Sequence, residues 1–346
     1  MGIKCDLVYD GMTVSVPKDM GTPRQDQLEG RPAEQLSELA GRVCYDSLGS
    51  GRNSKDYHKH ILSVGHGSVM EHFHFTVQIR DKQSKFVEEL LNRPGVFVRV
   101  LPDSIRVTVN LRAVIEWREA NPESTSCEVG ERMVAAARDV APTIMGMTDT
   151  GIRPNENGWE ILPPETEDEK WVTLFLCGSR GMSYEQVRHG DWTAISQRST
   201  RFCDETGSEW VLHPLYSIYL NETKDEDLKD EVKFAVDTCR ELYASMTHRL
   251  QDWISSKGVD KLTARKQARG AARGYLGNSL YTELVFSASV RQWKRMLKQR
   301  CSPGADAEIR KLYEDVLSIL SKSRYGDSFS EFRLSDSPDG IGKVLV

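Results

Sequence analysis

The chain has 346 residues and a net charge of −5 at pH 7, with 39% hydrophobic and 28% charged residues. This composition is typical of one large or two modest globular domains, and it excludes a global basic field that would attract nucleic acid. No apolar run reaches the roughly 20 residues of a membrane span, no signal-peptide pattern begins the chain, and seven dispersed cysteines indicate reduced thiols, so we expect a cytoplasmic protein.

The first 148 residues predict helices and strands in irregular alternation. Alternating apolar residues indicate a strand or hairpin over 5–16, a polar loop covers 19–31, and Pro32 marks the start of a helix over 32–43. Asn110 lies between a predicted strand and a predicted helix, so we expect it to cap that helix. The other predicted elements are helices at 55–64, 85–91, 111–120 and 128–140 and strands at 73–79, 96–101 and 104–109.

Residues 148–170 are acidic and rich in Pro, Gly and Asn, which predicts a linker or an exposed loop. The elements predicted after it are strands at 171–176, 213–220 and 280–287 and helices at 226–255, 260–276, 290–300 and 306–320, followed by an irregular tail after residue 325. This order favours an α+β (mixed α/β) fold. The sequence contains neither GxGxxG nor GxxxxGK[ST], so it does not predict a Rossmann or P-loop nucleotide site.

The segment 179–202, SRGMSYEQVRHGDWTAISQRSTRF, predicts a basic helix followed by a Ser/Thr/Arg loop. Guanidinium groups beside small hydroxyls are suited to a phosphate, because both donate hydrogen bonds to its oxygens. The alternative is a solvated amphipathic helix that ends in a polar turn. A second basic helix, at 260–276, carries Arg265, Arg269 and Arg273 on one face.

Five of the eight histidines lie between residues 58 and 74, which raises the alternative of a metal site and a metal-dependent hydrolase. The candidate ligands are His66, Glu71, His72 and His74. No HExxH motif or cysteine partner completes a tetrahedral set, so we expect no metal. Buried, hydrogen-bonded histidines are the simpler interpretation.

Three segments, in this order, resemble the signature segments of the flavin-dependent thymidylate synthase (ThyX) family. They are GHGSVMEHFHFTV at 65–77, SRGMSYEQVRHGDWTAISQRSTRF at 179–202 and AARGYLGNSLYTELVFSASVRQWKRMLKQRCSPGADAEIRKLY at 271–313. The resemblance implies a ThyX-like fold with a sheet flanked by long helices. It also implies transfer of a methylene group from 5,10-methylenetetrahydrofolate to C5 of dUMP, with FAD as the reductant and NADPH as its electron source.

The same resemblance implies a role for individual residues. The implied cofactor-binding residues are His66, Ser68, Glu71, Arg188, His189, Ser289, Arg291 and Arg295. The implied nucleotide-binding residues are Glu185, Arg188, Gln197, Arg198, Ser199, Arg201, Arg273 and Arg300. Arg300 matches the arginine that favours an ionised pyrimidine N3, which makes it the expected catalytic residue.

Several positions depart from the family pattern. Gly190 stands where a third basic residue follows Arg188 and His189, Ser289 replaces an asparagine, Arg295 replaces an asparagine or histidine, and Gly304 replaces a histidine. Most of these positions face the flavin. The alternative function is therefore a nucleotide-binding relative that has lost flavin chemistry.

The spacing of the segments predicts an internal duplication. About 100 residues separate the first segment from the second, and they contain VTVNLRAVIEW, which itself resembles the family's flavin segment and would supply Asn110 and Arg112 as cofactor contacts. The predicted ranges are two ThyX-like halves at 1–147 and 171–325, a linker at 148–170 and a tail at 326–346. The alternative is one unit with an insertion at 81–170.

The substrate stays open between dUMP, UMP and dCMP, and the product between methyl and hydroxymethyl. We expect no membrane or nucleic-acid partner. Family members are homotetramers with shared sites, so a fused pair predicts a homodimer that imitates a tetramer, and a single unit predicts a homotetramer.

Overall fold

Strands and helices alternate irregularly along the chain. The computed structural model describes residues 2–17, 28–48, 51–80, 85–121, 128–148, 159–190, 192–338 and 340–346. The strands are β1 (Lys4–Tyr9), β2 (His74–Ile79), β3 (Phe97–Val100), β4 (Ile105–Asn110), β5 (Trp171–Ser179), β6 (Thr193–Gln197), β7 (Tyr281–Ser289), β8 (Leu334–Asp336) and β9 (Lys343–Leu345).

Helices supply the remaining layers. They are α1 (Pro32–Tyr45), α2 (Ser54–Ser63), α3 (Lys85–Leu91), α4 (Leu111–Ala120), α5 (Glu128–Val140), α6 (Pro142–Met147), α7 (Arg180–Gln186), α8 (Pro214–Thr223), α9 (Glu226–Ser255), α10 (Lys261–Ala272), α11 (Val290–Arg300) and α12 (Ala307–Leu320). Short 3₁₀ turns cover Gly67–Glu71, Val187–His189, Arg273–Tyr275 and Gly326–Phe329. The mixed α+β class expected from the sequence is confirmed.

The larger sheet has the order β1-β5-β7-β6, and every neighbouring pair is antiparallel. Successive residues of a strand point to opposite faces, and both faces are buried here. Leu174 and Phe286 join a core with α11 and α12 on one face. Phe175 and Val285 join the core formed by α1, α4 and the second sheet on the other. The first and second parts of the chain therefore pack through this sheet.

The second sheet repeats the topology of the first. Its order is β2-β4-β3, which matches β5-β7-β6, and its pairs are also antiparallel. Buried hydroxyl pairs lie at corresponding places: Thr76 meets Thr108 at 2.8 Å, and Thr173 meets Ser287 at 2.6 Å. The strand β1, which lies within the predicted first half, extends the larger sheet by pairing with β5.

Both middle strands turn into a helix at a polar cap. The Asn110 side chain accepts a hydrogen bond from the backbone nitrogen of Ala113 at 2.8 Å, as expected from the sequence. Ser289 caps α11 in the same way, accepting from the nitrogen of Gln292 at 3.3 Å. Each cap satisfies a backbone donor that a helix start leaves free.

Helices α8, α9 and α10 lie between β6 and β7 in the order of the chain. Tyr243 is the buried residue of the 30-residue α9, whereas Phe234 and Trp253 on the same helix are 74% and 60% exposed. Both aromatic side chains are therefore largely exposed to solvent. None of the described helices combines the length and the apolar character that crossing a membrane requires.

Two predicted elements were wrong. The predicted strand at 213–220 is the helix α8, because Pro214 occupies its first position and the His213 ring accepts from the nitrogen of Leu215. The predicted irregular tail contains a 3₁₀ turn and the β8–β9 hairpin. Strands of three residues leave almost no periodicity for a sequence pattern to detect.

Other predictions fall on residues that the structure describes only in part. Residues 19–27 of the predicted loop, residues 149–158 of the predicted linker, Cys127 and Asp191 lie outside the described residues. The described end of the linker packs on the second sheet. Leu162 forms an isolated bridge with Thr76, and Glu169 pairs with Arg106 at 3.0 Å.

Candidate active site

Three polar side chains meet where α11 and α7 end. Arg300 donates from Nε to Nε2 of His189 at 2.8 Å and from Nη2 to the backbone oxygen of Glu185 at 2.7 Å. Its Nη1 pairs with the Glu185 carboxylate. The fork of the guanidinium is therefore oriented by two other elements. The structure brings together these three residues, which the sequence assigned to nucleotide and cofactor.

His189 is neutral in this setting. Its burial, and then the charges of Arg300 and Arg295, lower its pKa to about 4. Because Nε2 accepts the hydrogen bond from Arg300, the ring proton lies on Nδ1. His189 can therefore donate to a ligand from Nδ1 at neutral pH.

The corner between β5 and α7 fixes the start of the helix that carries Glu185. Ser179 accepts from the nitrogen of Met182 at 3.0 Å and donates from its own backbone nitrogen and hydroxyl to Glu308 at 2.8 and 2.6 Å. Glu308 belongs to α12 and is buried. A helix cap held from a third element gives α7 a fixed position relative to the sheet.

Gln197 is the last residue of β6 and contacts α7. Its amide nitrogen donates to the hydroxyls of Ser183 and Thr282 at 2.9 and 3.1 Å. The end of β6 is thus tied both to α7 and to β7. The sequence analysis missed β6, although it predicted Gln197 as a nucleotide contact, because Thr-Ala-Ile-Ser-Gln has one large apolar residue.

The loop after β6 lies against α10. Arg269 donates to the backbone oxygen of Phe202 and pairs with Asp204 at 2.7 Å. Lys266 lies 4.6 Å from the centre of the Phe202 ring. Two cationic side chains of α10 therefore hold the loop in place.

Arg201 and Arg273 lie at the open side of this loop. Arg201 is exposed and lies beside α10, where a Cβ atom on Gly270 would be 3.8 Å from its Nε. Arg273 is also exposed and follows Gly270 by three residues, which places it near the same face. Two solvent-facing guanidinium groups beside the same helix end are suited to a phosphate.

Arg198 and Ser199 are engaged within the protein. Arg198 pairs with Asp46 at 2.9 Å and with buried Glu205 at 3.4 Å. The backbone nitrogen of Ser199 donates to the oxygen of Cys44 at 2.9 Å. These contacts attach the loop to the end of α1. Arg188, in contrast, is exposed in the 3₁₀ turn after α7.

The turn at Gly67–Glu71 leads into β2 of the second sheet. His66, just before it, packs edge-on against Tyr45 with ring centres 5.2 Å apart, and its burial and the charge of Arg112 lower its pKa. Glu71 forms an ion pair with Arg112. Burial raises the pKa of its carboxyl group, and this effect is larger than the lowering by Arg112. Ser68 is half-buried in the turn.

His72 is buried at the junction of the two sheets. Nδ1 lies 2.8 Å from the Ser287 hydroxyl and Nε2 lies 2.9 Å from the Ser196 hydroxyl. Burial lowers its pKa to about 3. The neighbouring His74 stacks on Trp171, with ring centres 3.4 Å apart. These side chains point in different directions, and no group of three or more metal-ligating side chains occurs among the residues described.

Acid is expected to destabilise the protein through His72. The unfolded state binds a proton with the ordinary pKa of 6.5, whereas the folded state does so only near pH 3, so stability falls as the pH drops between these values. His72→Gln removes the titration, so its melting temperature should fall less steeply than that of the wild type between pH 6.5 and 4. Equal slopes would show that His72 does not contribute to acid sensitivity.

A cavity of about 610 Å³ opens between the second sheet and the start of β6. The residues that line it include Glu71, Arg93, Asn110, Trp171, Gly190 and Trp192. Glu71 and Asn110 were expected cofactor contacts, and Arg112 pairs with Glu71 at its edge. The sequence analysis did not select Arg93, Trp171 or Trp192. The sequence NRPG at 92–95, which follows a helix as HGDW at 189–192 follows α7, is the signal that marks Arg93.

Three expected cofactor contacts lie elsewhere. Ser289 is fully buried as a helix cap. Arg291 pairs with Asp168 at 2.7 Å, and with Arg295 it lines a separate cavity of about 520 Å³ along α11. The structure therefore does not bring these three residues together with Glu71 and Asn110.

Burial keeps four of the described cysteines from acting as nucleophiles. Burial raises the pKa of the Cys177, Cys203 and Cys301 thiols to about 12 and that of Cys44 to about 11. A thiol with such a pKa is almost entirely protonated at neutral pH.

Comparisons with known proteins identify the family. The family model described as "Thymidylate synthase complementing protein" matches residues 28–93 and 169–323, which together make up more than half of the chain. The two ranges contain all three signature segments. They omit residues 94–168, which hold β3, β4 and α4.

Curated relatives share about a third of the aligned residues. The flavin-dependent thymidylate synthase of Mycolicibacterium gilvum is 32% identical over 170 residues, which cover 49% of this chain and 64% of that protein. The enzyme of the same name from Mycobacteroides abscessus is 33% identical over 179 residues, covering 51% and 68%. The chain thus spans about two thirds of the length of the curated relatives it matches.

A solved structure of Helicobacter pylori ThyX with FAD and dUMP superposes with a TM-score of 0.31 and 18% identity, covering 47% of this chain and 74% of that one. Family membership therefore rests on the sequence match. The chain belongs to the Thy1 family of thymidylate synthase complementing proteins, the ThyX family that its sequence motifs resemble.

Proposed function

We propose that this protein is a flavin-dependent methyltransferase that acts at C5 of a pyrimidine nucleoside monophosphate, with dUMP as the first candidate. 5,10-Methylenetetrahydrofolate would supply the carbon, and NADPH would reduce the flavin. The observation that carries the proposal is the cluster of Arg300, Glu185 and His189. The names of the curated relatives support it.

The nucleotide side of the site divides into two parts. Arg201 and Arg273 are the exposed cations that would bind the phosphate, since their guanidinium groups face solvent beside the same loop. Arg300 would donate to the pyrimidine and stabilise negative charge that develops at N3. Glu185 and His189 hold its fork in a single orientation before the substrate binds.

The residues present fit a flavin. The cavity between the sheets has aromatic walls at Trp171 and Trp192, and the buried Nε of Arg93 and Nδ1 of His66 have no hydrogen-bond partner among the described residues. Glu71, Asn110, Arg112 and His189 would hold the group. Reduced FAD would supply the reducing equivalents that convert the transferred methylene group to methyl.

The test of the function is anaerobic incubation of the protein with FAD, NADPH, 5,10-methylenetetrahydrofolate and each of dUMP, UMP and dCMP in turn. Mass spectrometry of the nucleotide should show one substrate that gains a methyl group, or a hydroxymethyl group if reduction does not follow. If all three nucleotides are recovered unchanged, the proposed function is wrong.

A second candidate is a nucleotide-binding protein without flavin chemistry. Gly190 lacks a basic side chain, and Ser289 is buried as a helix cap. This candidate predicts a colourless protein that binds nucleotide but not FAD. A yellow protein with the visible absorbance of bound flavin would exclude it.

An internal duplication is our proposal for the domain organisation. The matching strand orders β2-β4-β3 and β5-β7-β6, with a polar helix cap after each middle strand, support it.

A fused pair would assemble as a homodimer. Exposed Phe234 and Trp253 on α9 support self-association, and Phe234→Ser should shift the mass measured by light scattering towards the monomer.

Replacing Arg201 with alanine is expected to weaken nucleotide binding by about 2 kcal/mol, roughly thirtyfold in Kd, because charge-assisted hydrogen bonds to the phosphate are lost. Isothermal titration with dUMP measures the change. Arg265→Ala is the matched control, since Arg265 is exposed on α10 but lies two turns before Arg273. Equal affinities of wild type and Arg201→Ala would remove Arg201 from the phosphate site.

A further inference from the structure

Two corresponding loops line the 610 Å³ cavity. The first loop leads into β3 and the second leads into β6. In each of these strands, one residue pairs with the residue that lies two positions before a helix cap. Those pairs are Phe97 with Thr108, before the cap Asn110, and Ala194 with Ser287, before the cap Ser289. Counting back four residues from Phe97 and Ala194 matches Arg93 with Gly190. Counting back two matches Gly95 with Trp192.

The backbone confirms this correspondence. Gly95 has φ +75° and Trp192 has φ +64°, so the fold places both in the left-handed region. At Gly95 a side chain would clash, because a Cβ atom would lie 2.2 Å from Nδ2 of Asn110. Glycine adopts this conformation readily, whereas a bulky residue there is disfavoured. The second loop nevertheless carries a tryptophan.

Trp192 is placed to contact a ligand. It lines the cavity, is 46% exposed and lies 4.8 Å from the Phe97 ring, measured between ring centres. The opposite loop therefore supports one part of the ring while the rest faces the cavity. Backbone strain that is retained at a cavity wall is typical of binding sites.

Arg93 supplies the cation that Gly190 lacks. Its Nη1 lies 3.2 Å from Glu116, which also pairs with Arg112. Its Nε is buried and has no hydrogen-bond partner among the described residues. Arg93 lines the same cavity as Trp192, so its guanidinium has donors left for an acceptor atom of a ligand.

We propose that the cavity binds a planar heteroaromatic ring that stacks on Trp192 and accepts a hydrogen bond from Arg93. Under the proposed function, on which this inference rests, the ring is that of FAD. The two corresponding loops then build one shared site: the first contributes the guanidinium and the second contributes the aromatic face.

The test measures the Kd of FAD by quenching of flavin fluorescence in the intact protein. Trp192→Gly should raise the Kd about tenfold or more through lost stacking, while Trp192→Phe should retain most of the affinity. Because glycine relieves the positive φ, Trp192→Gly should not lower the melting temperature. A purely structural tryptophan would give the reverse pattern: unchanged affinity and a lower melting temperature.

Arg93→Ala should also raise the Kd for FAD about tenfold or more, since a hydrogen bond from a charged donor is lost. Arg52→Ala, at an exposed arginine, is the control and should bind as the wild type does. If the wild type binds FAD and the Arg93 and Trp192 variants bind it equally well, the inference is wrong and the proposed function survives. If the wild type itself does not bind FAD, both are wrong.

Discussion

Arg300→Ala is expected to lower kcat by about 100-fold or more, with a much smaller change in the Kd of the nucleotide. The side chain is oriented before substrate binds, by the Glu185 carboxylate, the Glu185 backbone oxygen and Nε2 of His189. Such a group stabilises charge that develops in the transition state without reorganising. Alanine removes that stabilisation and leaves Glu185 without its partner.

The measurement separates chemistry from binding. Single-turnover rates with enzyme in excess give the chemical step, and titration with dUMP gives the Kd. Arg300→Lys keeps the charge but not the fork, so it should recover little of the rate and bind the nucleotide about as well as the wild type does. Lys322→Ala, an exposed cation just after α12, is the surface control. An unchanged rate in Arg300→Ala would contradict the catalytic role.

The resemblance to the ThyX family singled out Arg300, Glu185 and His189, which meet in the structure, and local patterns predicted the helices that carry Arg300 and Glu185. Ser179, Ser289 and Asn110 each end a strand and cap the following helix. A strand, a polar cap and an amphipathic helix are all local patterns, so they can be recognised without a structure. Glu185 lies on the helix that follows Ser179, and Arg300 lies on the helix that follows Ser289.

What the sequence did not predict depends on partners far apart in the chain. Arg198, a predicted nucleotide contact, pairs with Asp46 at the end of α1, and the sequence did not predict that ion pair. His72 reaches Ser196 and Ser287 across the two sheets. Polar contacts of this kind leave no periodicity in the sequence, since they depend on how the sheets pack and not on local propensity.

The ion pairs at the sheet junction follow the same correspondence as the cavity loops. Glu71 lies three residues before the start of β2 and pairs with Arg112, two residues after the cap of α4. Asp168 and Arg291 occupy the matching positions around β5 and α11, and they also pair. Local likeness between the halves thus extends to side-chain contacts, although one pair borders the shared cavity and the other does not.

The two sheets differ at the residue that follows Glu71 and Asp168, which is His72 in one case and Glu169 in the other. His72 contacts Ser196 on β6, and its counterpart Glu169 contacts Arg99, the residue of β3 that corresponds to Ser196. The first junction is therefore a neutral hydrogen-bond network and the second is ionic. Glu169 and Arg106 form its buried part, with both side chains 4% exposed.

Arg106→Ala is accordingly expected to lower the free energy of unfolding by about 3–5 kcal/mol, because it leaves Glu169 buried without its principal partner. Burial on its own would raise the pKa of Glu169, but hydrogen bonds from Arg106 and the Glu165 backbone, with the charges of Arg106 and Arg99, lower it. Removing Arg106 should therefore raise that pKa, so the variant should lose less stability than the wild type when acid protonates the carboxylate.

Urea unfolding at pH 7 and at a pH below 4.5, the ordinary pKa of a glutamate carboxyl group, tests this expectation. Lys229→Ala breaks an ion pair whose side chains are 59% and 69% exposed, and it should leave the urea midpoint close to that of the wild type, because solvent screens exposed charges. The double variant Arg106→Met/Glu169→Leu removes both charges and should recover much of the loss, since apolar side chains of similar volume need no ionic partner. If the double variant is as unstable as Arg106→Ala, the loss arises from packing around Arg106 and not from the uncompensated charge of Glu169.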